Sequence, residues 1–134
     1  MEQPKRLPSI ARIAFLVHLI VAVVLGVVMV VQPTRSLGWF GYPMLPDLKP
    51  VIRALGLIIL ALGGVTSMYG YLAASWERVA YIVHAEIAYL GLQTIMFVVS
   101  LGIGNGPVLG NGLFSALSAV MAGLFVVAYL RRPK

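Results

Sequence analysis

Few side chains in this 134-residue chain can do chemistry, and their spacing narrows what that chemistry is. The two histidines sit in near-matching heptapeptides, Arg12-Ile-Ala-Phe-Leu-Val-His18 and Arg78-Val-Ala-Tyr-Ile-Val-His84. Four of the seven positions are identical and the other three are conservative. At the same offset of 66, Ser9 aligns with Ser75 and Ala22 with Ala88. On a helix, Ala14, His18 and Ala22 share one face, as do Ala80, His84 and Ala88, with Gly91 near by. Two readings follow. In one, the small residues form a pocket for a flat ring, and neutral imidazoles ligate haem iron (haem b) or a chlorin magnesium, jointly or one pigment each. In the other, the small residues let helices pack closely, each histidine makes an interhelical hydrogen bond, and no cofactor is bound. The second is preferred.

Glu86 is the one acid well inside an apolar run, where a carboxyl group is costly and by default functional. It shares a helical stripe with Tyr89, Gln93 and Ser100 and points away from the face of His84. The chemical reading is a proton-handling or ion site. The structural one is a protonated or hydrogen-bonded glutamate joining helices. Other chemistry is lacking. With no cysteine, thiolate metal sites and cysteine nucleophiles are excluded, and no metal site is expected. Asp47 and Glu77 have no paired carboxylate. Gly102-Ile-Gly104-Asn-Gly106 ends an apolar run and has no P-loop lysine, so it is no phosphate loop. The chain is expected not to be an enzyme.

These residues must be positioned by elements unlike those of a soluble domain. Apolar residues make up 60% of the chain and charged ones 10%, with a mean hydropathy of +0.97. A soluble domain carries about 25% charged residues, so folding alone cannot hide this surface from water. The expected class is a single multipass membrane domain over 1–134, in the cytoplasmic (inner) membrane. The +6 charge lies beside apolar runs, which points to topology and lipid head groups as partners and not to nucleic acid.

About 20 residues cross the hydrocarbon, and four segments qualify: 13–31, 51–74, 79–103 and 113–130. The basic start resembles a signal peptide, but its apolar run is too long and lacks a small-x-small cleavage site, so a retained first span is expected. With four spans, one side collects Lys5, Arg6, Arg12, Arg78, Arg131, Arg132 and Lys134, and the other Arg35, Lys49 and Arg53. That bias predicts cytoplasmic termini. The external loop, 32–50, places Trp39, Phe40 and Tyr42 among glycines and prolines. It predicts a short helix or turn at the outer interface, with a ligand lid as the alternative. The offset of 66 maps span one onto span three and span two onto span four, two parallel-repeat hairpins. His18 and His84 then share a depth on the cytoplasmic side.

Span two carries Gly56, Gly63 and Gly70 at heptad spacing, with Thr66, Ser67, Tyr69 and Tyr71 toward one end. Span four carries Ser115, Ala119 and Gly123 at i, i+4 spacing. Both read as helix-packing seams. The spans show neither the broken helices nor the many polar groups of a transport site.

The layout resembles small four-helix bacterial membrane proteins of the DoxX-like kind, with an ordered loop after the first span and a Gly-rich second span. Arg53-Ala54-Leu55-Gly56, followed by Ala61-Leu62-Gly63, is similar to their second helix. The His/Arg repeat departs from that pattern. The resemblance implies an accessory role, some members being subunits associated with quinol-oxidising respiratory complexes. A small residue four positions before a histidine also resembles light-harvesting polypeptides. The expectation is an all-α, four-helix transmembrane bundle acting as a non-catalytic accessory or structural subunit, partnered by other membrane subunits or by copies of itself. The alternatives are a tetrapyrrole-binding protein for electron transfer or light harvesting, using His18 and His84, and a small proton-coupled transporter centred on Glu86.

Overall fold

The computed structural model describes residues 6–43 and 45–133. Lys5 and Lys134, which count toward the charge bias, lie outside the described residues. The described residues form an all-helical fold, with four helices among them long and apolar enough to cross a membrane. Helix α1 is Ser9–Val31, and a short α2, Pro33–Gly38, follows it. Helix α3 is Pro46–Leu72. A 3-10 turn, Trp76–Arg78, leads into α4, Ala80–Gly102, and α5 is Val108–Leu130. At 1.5 Å per residue a 23-residue helix is about 34 Å long, enough for a hydrocarbon core of about 30 Å. The outward faces carry Ile20, Val24, Leu57, Leu92 and Val120, as lipid solvation requires.

Proline sets the helix starts more sharply than hydropathy does. Pro8 precedes α1, so that helix begins four residues before the apolar run at Ile13. Pro107 precedes α5, which begins at Val108 and not near Leu113. The intervening Gly110 and Asn111 read as loop by propensity, yet tertiary contact holds them helical. A Cβ at Gly110 would lie 2.7 Å from the Phe40 carbonyl oxygen. Within 32–50, α2 supplies the short helix expected there.

Helix α3 is not uniform. Its α-helical parts, Lys49–Ile58 and Thr66–Leu72, flank a π-helical segment, Ile59–Val65. Wider π turns inside α-helices occur mostly at functional sites. The glycine stripe of α3 packs on α1. A Cβ at Gly56 would sit 2.9 Å from the Gly26 carbonyl oxygen, one at Gly63 2.9 Å from the Ala22 Cβ, and one at Gly70 would overlap the Phe15 ring. Close backbone approach therefore requires glycine at all three positions.

The helices line up in the order α3, α1, α5, α4, since α1 packs on both α3 and α5, and α4 packs on α5. Among the described residues α3 and α4 share no packing seam. The bundle is closed at one end by Leu7, Phe15, Trp76, Val79, Val83 and Phe125, with Phe15 and Phe125 edge to face at 5.1 Å. An antiparallel backbone pairing of Arg6 with Ser75 ties the N-terminal segment to the α3–α4 connection. Toward the other end the bundle opens into a groove between α3 and α4, floored by α1.

The span-four seam lies elsewhere than its spacing suggests. Ser115 is buried, but Ala119 and Gly123 face outward, and a Cβ at Gly123 would meet nothing within 4 Å. The buried face of α5 carries Asn111, Ser115, Ser118, Met121, Phe125 and Ala128.

Candidate functional site

His18 is the tenth residue of α1 and the point where all four long helices meet. Its ring lies edge to face with Phe125 of α5, centroids 6.0 Å apart. Its Nδ1 is 3.0 Å from Ser67 Oγ of α3 and 3.4 Å from Glu86 Oε1 of α4. Its Nε2 is 3.7 Å from the place a Cβ would take at Gly63. His18 is 6% exposed and Glu86 7%, so this polar cluster sits in an apolar interior.

One ring nitrogen facing two oxygens constrains the protons. When Nδ1 carries a hydrogen, it donates to the Glu86 carboxylate or to Ser67 Oγ. When Nδ1 is bare, the Ser67 hydroxyl donates to it, and Glu86 must hold its own proton to avoid facing lone pair with lone pair. The cluster thus has two hydrogen-bonded arrangements that differ in which group holds a proton.

A cavity of about 350 Å³ adjoins the cluster, walled by Leu62, Gly63 and Thr66 of the π segment and its end, and by Ala85, Glu86 and Tyr89 of α4. The Thr66 hydroxyl donates back to the Leu62 carbonyl oxygen of the preceding turn. A second cavity, about 630 Å³, shares Ile58, Ile59 and Tyr89 with the first and runs to the far end of the groove. Trp39, Phe40 and Tyr42 of the 32–50 loop roof it, and Gln93, Phe97 and Phe114 line it. Small-molecule sites are typically 300–1,000 Å³ and mostly apolar with a few polar groups. Both cavities fall within that description, and both lie between α3 and α4.

The roof is anchored. The Tyr42 hydroxyl donates to Asn111 Oδ1 at 2.6 Å, and Asn111 Nδ2 donates to the Asn105 carbonyl oxygen at 2.6 Å. Phe114 packs on Phe40 at 4.9 Å and stacks on Phe97 at 5.5 Å. Burial pushes the Tyr42 hydroxyl above the ordinary tyrosine range. A left-handed Gly41 (φ 81°) makes the turn that swings Tyr42 onto α5.

The two histidines of the repeat are not brought together. His84 is exposed on α4, its Nδ1 2.6 Å from the Ala80 carbonyl oxygen and its ring 5.0 Å from Tyr129. Glu86, two residues on, reaches His18, so the two histidines differ in depth by only about 3 Å but face different surroundings. The small residues around His18 are used for packing. Ala14 and Ala22 are buried, and Ala22 lies against Gly63. Ala80 is half-buried and Ala88 exposed. Of the stripe shared with Glu86, Tyr89 and Gln93 line the groove, and Gln93 Oε1 accepts from Ser118 Oγ at 3.1 Å. The encounter of His18, Ser67 and Glu86 was not read from the sequence, although Thr66-Ser67 in an apolar span and Glu86 were each noticed. Among the described residues no third His, Cys, Asp or Glu joins the pair to make a metal cluster. The chain matches no family model, no curated protein and no solved structure.

Proposed function

We propose that this chain is a multipass protein of the cell membrane, both termini cytoplasmic, that takes an amphiphile from the bilayer into the α3–α4 groove and meets it with a proton-exchanging His18–Glu86 pair. One observation carries this reading: a buried imidazole and a buried carboxyl group, 3.4 Å apart, stand at the inner end of a groove between two of the long apolar helices. Ionisable groups inside a span mark proton relays and substrate paths because their burial is otherwise pure cost. The π segment of α3 supplies the irregular helix that hydropathy alone does not show. Arg6, Arg12, Arg78, Arg131 and Arg132 gather at the closed end, which supports the cytoplasmic placement of that end.

Ala85 is exposed and lines the inner cavity, so Ala85→Trp fills it without displacing packed side chains. Mass spectrometry of organic extracts from the purified protein should show an amphiphile at near-stoichiometric amounts, depleted about tenfold in Ala85→Trp with unchanged helicity. Equal recovery from both, or no enriched amphiphile, refutes the reading.

A second reading, a non-catalytic subunit docked on a larger membrane protein in the manner that the DoxX-like resemblance implies, draws support from the outward Ala119 and Gly123 of α5. Gly123→Leu would then release a co-purifying partner in mild detergent without unfolding the chain. An unaltered set of co-purifying proteins counts against it. A tetrapyrrole at His18 and His84 predicts a visible absorption band lost in either histidine variant.

A further inference from the structure

Resting on the groove reading above, we propose that the occupant is a lipophilic cation, an elongated amine or quaternary ammonium whose charged head sits at Glu86 and whose apolar body runs under the aromatic roof. Charge decides the head. Among the described residues, Glu86 is the only acid on the walls of either cavity, and no Lys or Arg lines them. In the arrangement in which Nδ1–H of a neutral His18 donates to an ionised Glu86, the walls carry one negative charge and no positive one. An anionic head group is therefore repelled, whereas a cation supplies the counter-charge that a buried carboxylate lacks. Tyr89, one helical turn from Glu86 and half-exposed in the groove, offers a ring face to the same cation.

Shape decides the body. From Glu86 to Phe97 along α4 is eleven residues, about 16 Å, and the outer cavity along that length is apolar and aromatic apart from Gln93, Tyr89, Ser36 and Tyr42, the last two with hydroxyls that donate to Pro33 and Asn111. A compact ion would leave the outer cavity empty. A chain-bearing cation fills both, its tail ending near Trp39, Phe40 and Phe114.

The occupant competes with protons. The titratable groups facing Glu86 are His18 from α1 and Tyr89 from its own helix; α3 presents Ser67 and Thr66, and Phe125 of α5 packs on the His18 ring. Protonating either Glu86 or His18 makes the walls one unit more positive. Cation entry and proton release are therefore coupled, and binding weakens on acidification.

The test uses the full chain in lipid nanodiscs with Trp76→Phe, so that Trp39 is the single reporter. Dodecyl chains with a terminal bromine, which quenches at short range, carry a trimethylammonium, a sulfate or a hydroxyl head. The trimethylammonium compound should quench Trp39 saturably, at least tenfold more tightly than the other two, and less tightly in acid. Glu86→Gln should weaken it at least tenfold, and Ala85→Phe, which fills the inner cavity without adding a second tryptophan, should block it with Glu86 still in place. Saturable quenching by the alcohol or the sulfate equal to that by the cation, or unchanged in Glu86→Gln, overturns the cation and leaves the groove. No saturable quenching by any of the three overturns both.

Discussion

Replacing His18 with leucine tests whether the pair holds in the membrane. Leucine keeps much of the volume against Phe125 and Gly63 but leaves Glu86 without its partner. A lone acid at the centre of a span costs about 2.5–3.5 kcal/mol on insertion scales, which is the upper figure for Glu86, the seventh residue of the 23-residue α4. The loss in His18→Leu is therefore expected near that figure. Glu86→Leu behaves differently. It removes the costly acid, and His18 keeps its 3.0 Å contact with Ser67. A transmembrane hydrogen bond is worth about 0.6 kcal/mol and at most about 1.7, so this loss should stay near 1 kcal/mol. The double variant has no acid to strand, and its loss should approach that of Glu86→Leu alone. The cycle then yields a coupling of about 3 kcal/mol, well outside the roughly 0.5 kcal/mol within which independent sites add. The assay is reversible unfolding in mixed micelles, followed by the fluorescence of Trp76, which is buried in the closed end. Additive losses, or a larger loss for Glu86→Leu than for His18→Leu, refute the pairing.

Further outcomes are expected from three single substitutions. Gly56→Ala forces a Cβ to 2.9 Å from both the Gly26 carbonyl oxygen and Met29 Cβ, and should cost about 1–3 kcal/mol in the same assay. Gly91→Ala meets nothing within 4 Å and should be neutral or stabilising by up to about 1 kcal/mol; equal effects at the two positions would contradict the α1–α3 crossing. Tyr42→Phe leaves Asn111 Oδ1 without its donor and should cost about 1–3 kcal/mol. Because burial raises the Tyr42 hydroxyl above 10.0, the folded state holds that proton more tightly than the unfolded one. Its contribution is whole below pH 10 and is lost as pH climbs through the raised value. The melting midpoint should fall in alkali for the wild type and less so for Tyr42→Phe; parallel curves would contradict it.

The helices were legible because lipid imposes one rule on them. A chain in hydrocarbon must satisfy its backbone internally, so 20 apolar residues leave little choice. The glycine stripe of α3 was legible for the same kind of reason, since small residues at one spacing have a single use. Gly123 shows where that reasoning stops: the spacing of Ser115, Ala119 and Gly123 is as regular, yet only Ser115 turns inward. Which face is buried depends on the neighbour, and the order of helices is not written in any one of them. The site failed to show for this reason. His18 and Glu86 are 68 residues apart, and the repeat drew attention to His84, which resembles His18 in sequence but not in surroundings. The aromatic loop was visible as an interfacial feature, while its role as a roof depended on Asn111, in a stretch whose glycines favoured a loop.

The π segment Ile59–Val65 bears on how the two ends of α3 can change independently. A π turn closes its hydrogen bond one residue later than an α turn, so it behaves as a single-residue insertion carried inside the helix. Deleting one residue there would restore regular winding and rotate everything beyond by about 100°. Ser67 would swing away from His18 and Gly70 off the Phe15 ring, while Gly56 kept its place on Gly26. Point substitutions in this stretch are therefore a milder perturbation than a one-residue shortening. The length of 59–65, more than its composition, sets the angular phase between the outer half of α3 and the half that faces the histidine.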